Sequence, residues 1–320
     1  MTIDTPAQDA DTQPGGKIRA WLQLIRMPAL FTAFADIAAG FVAQNNTGFE
    51  PVGQFASLLT ASGCLYIAGM ILNDVFDRHR DAESRSNRPI PSGQIPASLA
   101  VLASVGLIIV GIASAWSVSW QALFISLGLT GCILAYDGLL KATFLGPLAM
   151  GACRFLNVML GAATQDLWDK VWELPQVGVA AAIGVYVIGV TWFARTEDKT
   201  SGRLSLLGGA LVANLGMAML AGLYYSRPMG RTWQWGGDLN GTLLAGLVIV
   251  IAITVDRRLL IAIRSPTPAF VQAAVKLMLL SIITLDATVV LAATGAIVPA
   301  MAVALLTIPA LLIGRWLYIT

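Results

Sequence analysis

Polar side chains that can bind a metal ion lie close together in one stretch of the chain. They follow twenty uncharged residues, 53–72, and are spaced by steps of one, three and four; they are Asn73, Asp74, Asp77 and Asp81. On a helix these residues share one face. Each pair of carboxylates there costs roughly 4 kcal/mol at about 4 Å and an effective dielectric near 20. The face therefore needs positive partners.

Two kinds of positive partner are available to these acids. One is Mg²⁺, which takes hard oxygen ligands and usually keeps water or phosphate oxygens among them. The other is the set of nearby arginines, Arg78, Arg80, Arg85 and Arg88. In the second case the stretch is a solvated helix end with ordinary ion pairs. Both interpretations stay open at this point.

The composition is that of a membrane protein. The 320 residues are 57% hydrophobic and 12% charged, whereas a soluble domain carries about 25% charged residues. Apolar runs long enough to span a bilayer occur at 27–44, 53–73, 97–117, 119–136, 144–164, 177–194, 203–225, 239–256, 274–294 and 297–316. We therefore expect an all-α, polytopic bundle of nine to ten transmembrane helices. A disordered tail, residues 1–16, precedes one domain, residues 17–320.

The charges and the rare residue types limit the possible functions. Alternating the loops between two sides puts fifteen Lys and Arg residues on the side of the N-terminus and three on the other, which predicts an inner, cytoplasmic membrane with the N-terminus and the acidic stretch inside. The lone histidine, His79, rules out a histidine metal cluster. The three cysteines show no CxxC spacing. No feature indicates nucleic-acid binding.

Several motifs together resemble one family. NDVFDRHRD is similar to the first aspartate-rich motif, NDxxDxxxD, of the UbiA superfamily of intramembrane prenyltransferases, and NRPIPSG is similar to its continuation. Arg26 and Pro28 resemble the Arg-Pro signature before the first helix. Tyr136 and Lys141 resemble the YxxxK pair, with one extra residue between them. The CRFLN run at 153–157 is similar to a divergent, EboC-like branch.

The resemblance implies an enzyme that uses Mg²⁺ to transfer an isoprenyl group from an allylic polyprenyl diphosphate to a lipophilic or aromatic acceptor in the bilayer. It assigns Asp74, Asp77, Tyr136 and Lys141 to catalysis. It assigns Arg26, Arg88 and Lys141 to the diphosphate. It assigns Asn73, Asp74, Asp77 and Asp81 to the metal. Arg26 and Lys141 are also explained as cationic anchors at helix ends, and Tyr136 as an interfacial aromatic residue.

The second acidic motif departs from the family pattern. Where the family carries DxxxD, this chain has RTEDKTSG, with Glu197 adjacent to Asp198. Adjacent residues on a helix diverge by about 100°, so a second metal on Glu197 and Asp198 would be held differently. This departure favours the alternative function, a non-catalytic transporter or lipid-binding scaffold with a UbiA-like fold.

Three ionisable residues lie inside apolar runs, namely Asp36, Arg154 and Asp286. A charge in mid-membrane costs at least about 2.5 to 3.5 kcal/mol and usually faces a partner or a cavity. Arg154 and Asn157 share a helix face, so we expect them to line the substrate chamber, with Arg154 paired to an acid or recognising an anionic acceptor. The alternative is an ion pair of Arg154 with Asp36 or Asp286 that only ties helices together.

Overall fold

The computed structural model describes residues 14–45, 48–165, 168–197, 200–225 and 239–318. Its helices are α1 Pro14–Leu24, α2 Met27–Asn45, α3 Val52–Ser84, α4 Ala97–Trp116, α5 Trp120–Ala135, the π-helical turn π1 Tyr136–Leu140, α6 Gly146–Ala162, α7 Trp168–Val171, α8 Gln176–Ala194, α9 Arg203–Tyr225, α10 Gly241–Arg264, α11 Pro268–Thr294, α12 Ile297–Ala304 and α13 Thr307–Tyr318. Every predicted apolar run coincides with a helix, which confirms the all-α prediction. Of the predicted tail, residues 1–13 lie outside the described residues, and α1 begins at Pro14.

The helices are those of a multi-pass membrane protein. In the described ranges, eight segments are long and apolar enough to cross a membrane: α2, α3, α4, α5 with π1, α8, α9, α11, and α12 with α13. Two more apolar helices accompany them. Helix α6 has only 17 residues, and α10 contains three consecutive charged residues, 256–258. Together these segments agree with the predicted nine to ten helices.

Helix α2 lies at the centre of the bundle and packs mainly against α6 and α11. Its contact with α6 passes through glycines. A Cβ on Gly40 would lie 1.9 Å from the main-chain oxygen of Val158, and one on Gly161 would lie 2.4 Å from that of Ile37. Small residues that allow such close approach are typical of membrane helix interfaces. The contact places Asp36 of α2 beside the polar residues of α6.

Helix α3 is the longest element, with 33 residues. Its last part runs past the apolar stretch and carries the predicted acidic residues. A small apolar cluster packs there, composed of Ala20, Leu24, Ile71, Val75, Ile90, Ile95 and Ala100. This cluster holds α1 and the turn after α3 against the side of α3. As a result, Arg26 after α1 and Arg88 in the turn are both carried to the acidic residues.

Candidate active site

The four predicted polar residues share one face of α3, which we call the acidic face: Asn73, Asp74, Asp77 and Asp81. Asn73, Asp74 and Asp81 are buried, with 3% to 5% of their surface exposed. The Asp77 side chain is 13% exposed. Carboxylates buried to this degree need partners, and the structure supplies cations from other segments.

Two arginines bind the acidic face from the side of α1 and of the turn after α3. Arg26 Nη2 lies 3.1 Å from Asp74 Oδ1 and 3.3 Å from Asn73 Oδ1. Arg88 Nη1 lies 2.6 Å from Asp81 Oδ2 and 3.3 Å from the same Asp74 oxygen. The structure thus brings Arg26 together with four other predicted site residues: Asn73, Asp74, Asp81 and Arg88. Arg26 is 47 residues from Asn73 in the chain.

The backbone at Arg26 is itself unusual. Arg26 has φ +47°, in the left-handed region, which non-glycine residues occupy rarely. Such a conformation costs on the order of 1–3 kcal/mol and persists where surrounding contacts determine it. Here the bend between α1 and α2 aims the Arg26 guanidinium at Asp74.

A lysine binds the acidic face from the opposite side. Lys141 Nζ donates a hydrogen bond to Asp77 Oδ2 and lies 3.0 Å from Asn73 Oδ1. Arg80 Nη2 lies 3.1 Å from the same Asp77 oxygen, but its side chain is 64% exposed. An exposed pair of that kind contributes little to stability, so Lys141 is the principal partner of Asp77.

The π-helical turn π1 explains the extra residue between Tyr136 and Lys141. The Lys141 N–H donates to the Tyr136 carbonyl at 2.9 Å, a bond over five residues. In an α-helix, residues five apart point about 140° away from each other, whereas the five-residue π bond stacks them one turn apart. The Tyr136 hydroxyl interacts electrostatically with Arg26, Asp77 and Asp137. The π turn therefore lets Lys141 reach the acidic face.

Deleting Leu139 tests this account of π1. Its side chain is 77% exposed, and its loss would restore a four-residue spacing with an ordinary α-helical turn. If the site binds the isoprenyl diphosphate that the motif resemblance implies, we expect the deletion to preserve that binding within about 3-fold, because Lys141 keeps its side of the helix. Inserting one alanine after Leu139 would rotate Lys141 by about 100° and weaken binding at least about 10-fold. Equal losses in both variants would contradict the interpretation.

Asp137 is a site residue that the sequence analysis did not select. Asn73 Nδ2 donates to Asp137 Oδ1 at 2.6 Å. The signal that could have identified it is a carboxylate in a long apolar segment, one residue after Tyr136. Placing its side chain against α3 required the geometry of π1.

The cavity next to the acidic face is strongly cationic. Its volume is about 390 Å³, and it is lined by Gln23, Arg26, Asp74, Arg85, Asn87, Arg88 and Pro89. Three arginines that converge on one cavity present planar groups with several N–H donors, which suit phosphate oxygens.

The second predicted acidic pair, Glu197 and Asp198, is described only in part. Asp198 lies outside the described residues. Glu197 follows α8, and its main-chain carbonyl accepts a hydrogen bond from Gln272 of α11 at 3.4 Å. Within the described ranges, no group of three or more His, Cys, Asp or Glu side chains could hold a metal ion as the side chains stand. A second metal at Glu197 and Asp198 therefore stays a prediction.

Arg154 lies in a separate, deeper cluster of polar side chains on α2, α3 and α6, which we call the inner cluster: Thr32, Asp36, Ser62, Arg154 and Asn157. Arg154 Nη1 lies 2.8 Å from Asp36 Oδ2, and its Nη2 lies 2.7 Å from Thr32 Oγ1. Asn157 Nδ2 donates to the same Asp36 oxygen at 3.0 Å. These contacts include an ion pair of Arg154 with Asp36, which is compatible both with the predicted chamber role and with the alternative of a tie between helices.

The structure is thus an all-helical, multi-pass membrane bundle in which arginine and lysine side chains bind an acidic face. The model of the UbiA prenyltransferase family matches residues 30–281. The chain therefore belongs to the UbiA prenyltransferase family, as its motifs predicted. That the chain belongs to an EboC-like branch of this family stays a prediction.

Curated relatives are similar over part of the chain. The digeranylgeranylglyceryl phosphate synthase of Saccharolobus solfataricus is 30% identical over 154 residues, which are 47% of this chain and 54% of that protein. The mitochondrial 4-hydroxybenzoate polyprenyltransferase of Drosophila pseudoobscura is 27% identical over 128 residues, 39% of this chain and 30% of that protein. The chain thus spans about half the length of the first relative, and less of the second.

Solved structures share the fold. A UbiA homologue from Archaeoglobus fulgidus superposes with a TM-score of 0.66 at 14% identity, covering 89% of this chain and 99% of that one. The same homologue bound to GPP and Mg²⁺ gives a TM-score of 0.60 at 13% identity, covering 81% and 99%. At these identities the likeness concerns the fold.

Proposed function

We propose that this chain is a prenyltransferase that uses Mg²⁺ to transfer an isoprenyl group from an allylic diphosphate to a lipophilic or aromatic acceptor in the bilayer. The observation that carries the proposal is the convergence of Arg26, Arg88 and Lys141, from three segments, on the acidic face of α3. The named activities of the relatives and the GPP and Mg²⁺ in the Archaeoglobus homologue support it.

The charges of the site fit Mg²⁺ and a diphosphate that bind together. Three carboxylates form ion pairs with four cations: Asp74, Asp77 and Asp81 on one side, and Arg26, Arg80, Arg88 and Lys141 on the other. A diphosphate attracts the cations away from the carboxylates, which would leave buried acids without partners. Mg²⁺ prefers such oxygen ligands, so Asn73, Asp74, Asp77 and Asp81 would hold it while the cations turn to the phosphate oxygens.

The chemistry then follows from these positions. The bond between the allylic carbon and the diphosphate oxygen breaks, and its electron pair leaves with the diphosphate. Bound Mg²⁺ would supply the charge neutralisation that this departure requires. Arg26, Arg88 and Lys141 stabilise the same developing charge. The acceptor's nucleophilic atom bonds to the allylic carbon and releases its proton, and the surrounding apolar helices exclude water from the allylic cation.

The proposal also includes the placement in the cell. The acidic face and the N-terminus lie on the side with fifteen Lys and Arg residues against three, which we assign to the cytoplasm. The membrane is then the inner one, and residues 17–320 act as one prenyltransferase-like domain. The names of two relatives contain a lipid and an aromatic acid. We therefore assign the acceptor to one of these two classes, lipids or aromatic compounds.

Binding of a non-hydrolysable geranylgeranyl diphosphate analogue to the purified protein tests the proposal. We expect Mg²⁺ to tighten binding of the analogue by about 10-fold to 100-fold, because metal and diphosphate exchange partners within one charge network. The matched control is geranylgeraniol, which lacks the diphosphate and should show no dependence on Mg²⁺. Failure of folded protein to bind analogues of several chain lengths would favour the transporter or scaffold function.

A further inference from the structure

Asp137 contacts the acidic face without binding a cation through a short ion pair of its own. Its Oδ1 accepts the 2.6 Å hydrogen bond from Asn73 Nδ2. The residue lies in π1, opposite the acidic part of α3, and is half-buried. A half-buried carboxylate beside Asp77 is costly, since like charges in one site repel each other. The position of Asp137 therefore indicates a function.

The partners of Asn73 show what Asp137 does there. Asn73 Oδ1 accepts from Lys141 Nζ at 3.0 Å and from Arg26 Nη2 at 3.3 Å. Lysine and arginine side chains only donate, and an ionised carboxylate only accepts. Reversing the amide would turn its NH₂ group towards two cations and its oxygen towards a carboxylate. The three partners consequently allow one orientation of the amide.

We propose that Asp137 is a positioning residue that holds the Asn73 amide with its oxygen, and not its NH₂ group, towards the metal side of the site. This inference rests on the proposed function, because the amide oxygen is one of the ligands assigned to Mg²⁺. Once Lys141 and Arg26 turn to the diphosphate, they no longer fix the amide. The hydrogen bond to Asp137 then keeps the oxygen available.

Residues that orient a metal ligand have a recognisable effect when they are replaced. Their loss typically weakens metal binding by about 10-fold to 100-fold. We expect that loss for Asp137→Leu, measured as the Kd of Mn²⁺ by electron paramagnetic resonance in the presence of the non-hydrolysable diphosphate analogue. Asp137→Asn keeps an acceptor oxygen for Asn73 Nδ2, so its loss should stay below about 3-fold.

The comparison of these two variants separates positioning from charge. Both remove the negative charge of Asp137, but only Asp137→Leu removes the acceptor. If Asp137→Asn weakens Mn²⁺ binding as much as Asp137→Leu, the carboxylate acts through its charge and the inference is wrong. Wild-type affinity in Asp137→Leu would overturn it equally. Thermal unfolding checks that each variant is folded, and Asp137→Ala replaces Asp137→Leu if the latter is not.

A second background shows whether Asp137 acts through Asn73. In Asn73→Ala the amide is gone, so the difference in Mn²⁺ affinity between Asp137→Leu and Asp137→Asn should disappear. A difference that persists there would mean that Asp137 acts on the metal by another route. If the wild-type protein binds neither Mn²⁺ nor the analogue, the proposed function itself fails, and the role of Asp137 fails with it.

Discussion

An Asp77→Ala variant is expected to lose prenyl transfer by roughly 10²-fold to 10³-fold or more, while the protein stays folded. Asp77 presents its carboxylate to Lys141 and Arg80 on the acidic face. Its removal takes away a carboxylate assigned to the metal and leaves Lys141 without its acidic partner. The measurement is incorporation of a tritiated geranylgeranyl group into lipid extracted from membranes that contain the protein.

The chain offers a matched control for this variant. Glu83 is an exposed acid in the same helix, beyond the acidic face, so Glu83→Ala should keep transfer at the wild-type level. The Asp77 side chain lies near the end of α3 and is partly exposed, which is why its loss should leave the bundle intact. Full transfer by Asp77→Ala would refute the metal assignment.

An Arg154→Leu variant is expected to be destabilised by about 3–5 kcal/mol, because it leaves a buried charge without its partner. Asp36 is 0% exposed, and Arg154 Nη1 is its cationic partner at 2.8 Å. The measurement is thermal unfolding in detergent micelles.

The cause of this effect can be isolated by a second substitution. Adding Asp36→Asn to Arg154→Leu removes the unpartnered charge and should recover part of the lost stability. Lys276→Met is the matched control, since Lys276 is an exposed cation in another apolar helix. If Arg154→Leu unfolds at the wild-type temperature but transfers poorly, the chamber role predicted from the sequence would be favoured.

Spacing along one helix could be predicted, but contacts between distant segments could not. Steps of three and four placed Asp74, Asp77 and Asp81 on one face because they depend only on helix geometry. Arg26 is 47 residues from Asn73 in the chain, and Lys141 is 64 residues from Asp77. Bringing them there depends on how α1 and π1 pack, which one sequence does not specify.

The inner cluster shows the same limit. The sequence predicted that Arg154 needs a partner, because a membrane charge is costly wherever it lies. It could not choose between Asp36 and Asp286, since both lie in apolar segments. In the structure Arg154 lies 2.8 Å from Asp36, and Gly40 and Gly161 let the backbones of α2 and α6 meet. Likewise, the extra residue after Tyr136 was visible in the sequence, but the π turn that absorbs it was not.

The length of α3 has a consequence for the whole reaction. Its 33 residues span about 50 Å, while the hydrocarbon layer is about 30 Å thick. Asn73 is the twenty-second residue of α3 and lies about 32 Å from its start, so the acidic face begins about where hydrocarbon ends. A substrate with an ionic head and an apolar tail can then react with its head bound at the membrane boundary and its tail still in the hydrocarbon layer. Neither the head nor the tail then has to be transferred into an environment that solvates it poorly.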